Sequence, residues 1–262
     1  MNKLIKAFAL AVFCLAAAAP VYAADYAGEL SGIRGRVEIL KLNDSQWRPT
    51  VEAMPLEADD KIKCFADSSC SLDLDDGTII YIGENTLYSV DNIEIAGETH
   101  SSKFSLWFGK IIASVSKHRN TKMMIKTPTA VASVRGTEFA VEASSESANI
   151  GVFEGVVAVS DQEKSGEEIE LSQDQESSVD AGMKPSMPQK LREVMLRNRE
   201  RMNDIRKRSA ELKEKLKRTT PQARLAGRKS ALERFSAIKE KQKEMKDKLK
   251  DRRKELKERK KP

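Results

Sequence analysis

The chain has 262 residues, a formal net charge of +6, 33% charged residues and 5% aromatic residues. That length holds one or two domains on ordinary domain sizes. Two histidines, no Gly-x-Ser-x-Gly elbow, no phosphate-cradling glycine loop and no metal-ligand spacing leave no enzyme constellation, so the chain is expected to be non-enzymatic and to need no cofactor or metal.

Residues 1–23 read as a secretory signal peptide. Lys3 and Lys6 precede the apolar run AFALAVFCLAAAA, Pro20 breaks it, and Val21 to Ala23 supply a small-x-small cleavage pattern. The apolar run is shorter than the roughly 20 residues of a membrane span, and Phe13 before Cys14 is too bulky for lipoprotein processing. The expectation is a mature protein in the bacterial periplasm. The alternative is an uncleaved segment that anchors the chain in the inner membrane, facing the periplasm. Charge divides the remainder. Ala24–Pro185 holds 15 Lys and Arg against 28 Asp and Glu, and Ser186–Pro262 holds 29 against 12, giving nets of −13 and +17. Such asymmetry predicts two units with different partners.

The first unit, residues 24–182, alternates apolar and polar residues instead of repeating at helical spacing. GRVEILKL, CSLDLDD, GTIIYIGENTLYSV and ANIGVFEGVVAVSD read as strands, and Asp76-Gly77, Gly97, Gly109, Glu154-Gly155 and Ser165-Gly166 as turns between them. The pattern predicts an all-β sandwich or barrel. Gly77 and Gly155 are assigned as structural turn glycines, each in a two-residue hairpin whose turn positions take positive φ. Cys64 and Cys70 flank the turn signal Asp67-Ser68-Ser69 and are expected to form a disulfide across it in an oxidising compartment; the other reading is two small buried thiols. Zinc is not expected, because His100 and His118 stand alone in sequence. Asp59-Asp60 and Asp75-Asp76 read as solvated turn residues, and DLDDGT lacks the rest of a calcium loop.

The stretch SVRGTEF, residues 133–139, interrupts a strand-like segment. Thr127-Pro128 removes a ladder donor, so a strand restarts at Thr129. Ala130, Ala132 and Val134 share one face, while Phe139 and Val141 fall in the opposite phase. A bulge at Arg135-Gly136 would bring both sets to one side; without it, Val131 continues in phase with Thr137, Phe139 and Val141. In either case Gly136 permits the bend, and Arg135 is placed to pair with a carboxylate such as Glu138. Arg135 and Thr137 are the candidate contacts to a partner or ligand.

The series SGIRGRVEIL, LWFGKIIASV, IKTPTAVASVRGTEFAVE, VFEGVVAVSD and ELSQDQESSVDAG resembles the FecR domain over about 150 residues, most sharply in TPTAVASVRGTEF. The resemblance implies an all-β domain of jelly-roll or sandwich type with a role in protein interaction or signal sensing. Well-known members are transmembrane regulators with a cytoplasmic anti-sigma segment. This sequence departs from them in carrying no such segment before the signal, so it is not expected to grip a sigma factor in the same way. Asp174 in LSQDQE stands where the family often turns on glycine.

A linker with Pro185 and Pro188 (residues 183–190) leads into residues 191–262, a basic helical or coiled-coil tail. Leu191, Met195, Asn198, Met202, Ile205, Ser209, Leu212 and Leu216 form a heptad seam diluted by Asn198 and Ser209. Thr220-Pro221 reads as an N-cap followed by proline in the first helical position. A second seam runs through Leu225, Arg228, Leu232, Phe235, Ile238, Gln242, Met245, Leu249, Arg252 and Leu256. The two helices are expected to fold as a hairpin or stay extended, with self-association or a partner assisting. The charged residues from Lys239 to Lys261 read as a solvated, salt-bridged helical face; the other reading is a basic arm that meets a polyanion, namely anionic lipid, a wall polymer or an acidic protein, with the chain's own acidic β unit a further candidate. Nucleic acid is disfavoured by export and by the lack of stacking aromatics. The combined expectation is an envelope interaction, scaffold or signal-sensing module; the alternative is a membrane-anchored FecR-type signal-transduction regulator.

Overall fold

The computed structural model describes residues 26–96, 99–118, 120–162 and 168–258. The signal read at residues 1–23 and the turn signals at Gly97 and Ser165-Gly166 lie outside the described residues. Those described form seventeen strands, numbered β1 to β17 in chain order, and two helices, α1 (Glu193–Arg218) and α2 (Pro221–Glu258). The chain is thus mainly β-sheet with a C-terminal helical region.

The strands lie in two ladders. One runs β4 (Met54–Pro55), β1 (Gly28–Arg34), β6 (Ser69–Leu74), β7 (Ile79–Ile82), β9 (Thr99–Ser114), β12 (Glu138–Ala143), β13 (Ser147–Glu154), β16 (Gln175–Asp180) and β17 (Gln189–Lys190). The other runs β3 (Arg48–Pro49), β2 (Val37–Leu40), β5 (Lys61–Cys64), β8 (Thr86–Ala96), β9 again, β10 (Thr121–Lys126), β11 (Ala130–Val134), β14 (Val156–Asp161) and β15 (Glu168–Ser172). β9 belongs to both. Its residues up to Phe108 pair with β8 and β10, and from Gly109 onward it pairs with β7 and β12. The change of ladder falls at Gly109, with φ of 97°, where a Cβ would sit 2.5 Å from Thr86 Cα. Only glycine fits a left-handed backbone that close to a neighbouring chain.

Alternation along the strands turns one set of side chains inward. Leu30, Ile39, Ile62, Leu72, Phe104, Phe139, Ile150 and Val159, drawn from both ladders, make one buried core. Tyr88 and Phe104 stack inside it, ring centroids 5.3 Å apart. Each such side chain contributes roughly 1.5–3 kcal/mol on burial.

The glycine turns differ from the sequence expectation in an informative way. Glu154-Gly155 is not a hairpin. It carries the chain from β13 in one ladder to β14 in the other, and only Gly155 has positive φ, at 90°. Arg34-Gly35 and Arg135-Gly136 are corners of the same kind, between β1 and β2 and between β11 and β12, with glycine φ values of 69° and 57°. Asp76-Gly77 does connect neighbouring strands, β6 and β7, but Asp76 is not in the left-handed region; Gly77 alone is, at 86°.

The heptad seam of α1 faces a sheet instead of a second helix. Met195, Met202, Ile205 and Leu212 pack on Ile79, Ile112, Ala140 and Phe153 from the outer face of the β7–β9–β12–β13 ladder. The polar seam positions are satisfied there: Asn198 Nδ2 donates to Glu142 Oε1 at 2.8 Å, and Ser209 Oγ to the Gly77 carbonyl at 3.1 Å. α1 crosses the ladder from Glu176 on β16, held by Arg192, to Glu29 on β1, 3.3 Å from Lys215 Nζ. Thr220 Oγ1 then caps α2, accepting from Ala223 N–H at 3.3 Å. α2 runs past the short β4 edge. Leu232 and Phe235 enter the main core, and buried Arg228 pairs with Glu29 at 2.9 Å and Asp75 at 2.7 Å. The acidic β unit of the same chain thus pairs with much of the basic helical region.

Candidate partner-binding face

The two ladders present unlike outer faces. The first is covered by α1. On the second, over β9, β10, β11, β14 and β15, the outward residues register across the strands. Lys103, Met124, Ser133, Ala158 and Glu170 form one row, and Ser101 pairs with Lys122, and Val156 with Ser172, in the next. Small side chains at Ser133 and Ala158 leave the middle of the sheet low. The result is an open concavity of about 490 Å³ lined by the first row together with Ser101, Lys122, Val156 and Arg135. Lys103 and Lys122 lie on one side and Glu170 on the other, all exposed; Val156 is 47% exposed. Trp107 continues the same alternation along β9, 48% exposed, with its Nε1–H donated to Ser89 Oγ at 3.2 Å. A charged rim around small and apolar residues suits a polypeptide or amphipathic ligand better than a reacting small molecule.

The structure separates the two residues singled out in SVRGTEF. Arg135 is exposed, lines the concavity and has no carboxylate within ion-pair distance among the described residues. The expected pairing with Glu138 is not made: that carboxylate turns to the opposite ladder and is taken by Arg206 of α1, whose Nε lies 2.8 Å from Glu138 Oε2. Thr137 is fully buried. Its Oγ1 lies 2.9 Å from both the Arg135 and Val156 carbonyls, so its single O–H proton braces two corners. Buried in this way, its hydroxyl is engaged within the corner and is not presented on the outer face as Arg135 is. Gly136 makes the ladder change between them, and a Cβ there would approach Lys117 Cα to 3.3 Å. The apolar sets on either side of the motif both reach the core because the chain changes ladder, and that change supplies the parity shift for which a bulge within one strand was one of the two alternatives.

Gly155 and Gly77 have equally local reasons. A Cβ on Gly155 would lie 2.8 Å from Thr137 Oγ1, and one on Gly77 would lie 2.9 Å from Lys213 Cγ. Beside the motif, Lys117 and Glu154 form an ion pair that raises the Lys117 pKa and lowers that of Glu154.

Cys64 and Cys70 are buried as free thiols with Sγ atoms 3.7 Å apart. The hydrogen bond with Cys64, with burial, holds the Cys70 thiol well above its ordinary pKa. His100 and His118, distant in sequence, stack with ring centroids 4.6 Å apart, and His100 Nδ1 is 3.7 Å from Asp76 Oδ2. Among the described residues no group of three or more His, Cys, Asp or Glu is placed to hold a metal ion, and no helix is long and apolar enough to cross a membrane.

The stretch from residue 60 to 158, which includes the SVRGTEF corner and most of this face, matches the family model described as FecR protein. That stretch is FecR-like, as the sequence resemblance implied. Two crystal structures described as a "putative anti-sigma factor" from Parabacteroides distasonis ATCC 8503 are similar at 17% identity and a TM-score of 0.42, covering 50% of this chain. The chain spans 59% of the length of those proteins. No curated protein matches.

Proposed function

We propose that this chain is an exported, non-enzymatic FecR-type module of the bacterial envelope, which recognises a protein or ligand through the outer face of β9, β10, β11, β14 and β15. One observation carries the reading: α1 covers one outer face, while the other leaves Arg135 and Val156 uncovered around a concavity. In this reading the ladders act as the two layers of a sandwich, and the helices as a hairpin that clamps one layer and frees the other. The FecR match supports a place in signal transduction. The periplasmic location rests on the signal-like residues 1–23.

The test is site-specific photo-crosslinking in envelope fractions, with the crosslinker at Val156 and, as a control, at exposed Arg197 on α1. Adducts specific to Val156 and weakened by Arg135→Ala are the expected result. Equal adducts from both positions reject the face. The mass of the mature N-terminus decides the location: a start near Ala24 supports the exported form, and retention of residues 1–23 returns the anchored regulator.

A further inference from the structure

Among the described residues, the last hydrogen bond and ion pair between α2 and the β unit fall near the middle of the helix. Lys239 Nζ still reaches Asp44 at 3.1 Å, and Gln242 accepts from Arg48 at 2.7 Å. Beyond them residues 243–253 are all exposed, including Met245 at 65% and Leu249 at 54%. At 3.6 residues per turn, the side-chain types of this segment separate cleanly. Ile238, Met245 and Leu249 share one stripe. Lys241, Lys248 and Arg252 flank it on one side, and Lys239, Lys246 and Arg253 on the other. The acids Glu240, Glu244, Asp247 and Asp251 fall on the far side, where Lys250 and Asp247 pair at 3.9 Å.

A second copy of the helix is a poor occupant for this stripe. The flanking positions of a coiled-coil seam face one another between chains, and here they would set lysine against lysine in either orientation. Gln242 and Arg252 also interrupt the seam. An anionic lipid surface satisfies both features at once. Met245 and Leu249 enter the headgroup boundary, the basic side chains extend their methylene stems along it with ammonium groups at the phosphates, and the acids face water. We propose that the distal half of α2 lies on an anionic membrane surface and tethers the β unit there. This contact is separate from the open sheet face, so either can fail without the other.

The experiment is co-sedimentation of the full chain with vesicles of phosphatidylcholine alone or mixed with phosphatidylglycerol. Variants are read against wild type, so any contribution of residues 1–25 cancels. Preference for the anionic vesicles at low salt, lost in high salt, is expected. Lys241→Gln, Lys246→Gln and Lys248→Gln combined should lower partitioning at least about tenfold. Leu249→Asp should lower it several-fold on its own, with the thermal midpoint unchanged because the site is exposed. Absence of wild-type partitioning at low salt, equal binding to neutral vesicles, or wild-type binding by either variant would overturn the proposal. So would binding to soluble polyglutamate, or self-association through Leu249, without vesicle binding.

Discussion

Arg206 on α1 and Glu138, the residue that follows the SVRGT corner, meet through 2.8 and 3.0 Å contacts from one Nε to both carboxylate oxygens. The pair ties the helical region to the turn that defines the FecR-like stretch. Its two ends are unequally buried: the Glu138 side chain is 11% exposed and that of Arg206 is 45%. Removing the arginine strands a largely desolvated carboxylate, whereas removing the carboxylate leaves a guanidinium that water can reach. Arg206→Ala should therefore cost about 2–3 kcal/mol and Glu138→Gln about 1 kcal/mol. Urea denaturation of both variants checks the inequality; equal losses would contradict it.

At the corner itself, Gly136→Ala should cost about 1–2 kcal/mol through its left-handed φ of 57°. Thr137→Val should cost a similar amount, about 1–2 kcal/mol, because two carbonyls lose the buried hydroxyl between them. Both changes should appear as shifts in denaturation midpoint at constant slope.

Arg135 and Val156 should show the reverse of the Gly136 and Thr137 pattern, with binding affected and stability spared. Arg135→Ala and Val156→Asp lie on an exposed face, so stability should stay within about 0.5 kcal/mol of wild type. Partner capture should fall for both. A binding-competent, stable Arg135→Ala protein would remove this residue from the contact.

Acid should loosen the grip of α2 on the β unit through Asp44. Hydrogen bonding from Arg48, opposed by burial and reinforced by Lys239, lowers the Asp44 pKa to about 2. A folded-state pKa below the unfolded value means stability is present above roughly pH 4 and is lost as the carboxylate protonates toward pH 2. Asp44→Asn should cost about 1–2 kcal/mol at neutral pH. The gap between variant and wild type should close on acidification between those limits; a gap independent of pH would assign Asp44 a purely steric role.

Strand chemistry was legible because alternation and Gly turns are local. What each turn joins was not. Glu154-Gly155 as a corner and Asp76-Gly77 as a hairpin present the same acid-glycine pair, and only distant partners, β11 for β14 and β9 for β7, decide which ladder receives the next strand. The α1 seam was legible in the same limited sense. Periodicity told that Met195, Met202 and Ile205 are buried along one face, but not whether a helix or a sheet covers them. Asn198 and Ser209 were the available clue, since a carboxylate on a sheet face and a turn carbonyl can satisfy them where an apolar helix seam could not. Arg206 carried no signal at all, because its partner lies 68 residues away.

The double membership of β9 fixes the order in which this chain can become whole. The segment up to residue 96 and the segment from residue 121 onward both need the same sixteen-residue strand as a neighbour. A chain delivered N-terminus first therefore cannot close its first half until Ser114 has emerged, and β7 and β8 wait with bare edges until then. Unpaired edges are where β chains aggregate. The interval between Ala96 and Ser114 is thus the stage at which the growing chain carries the most unpaired edge.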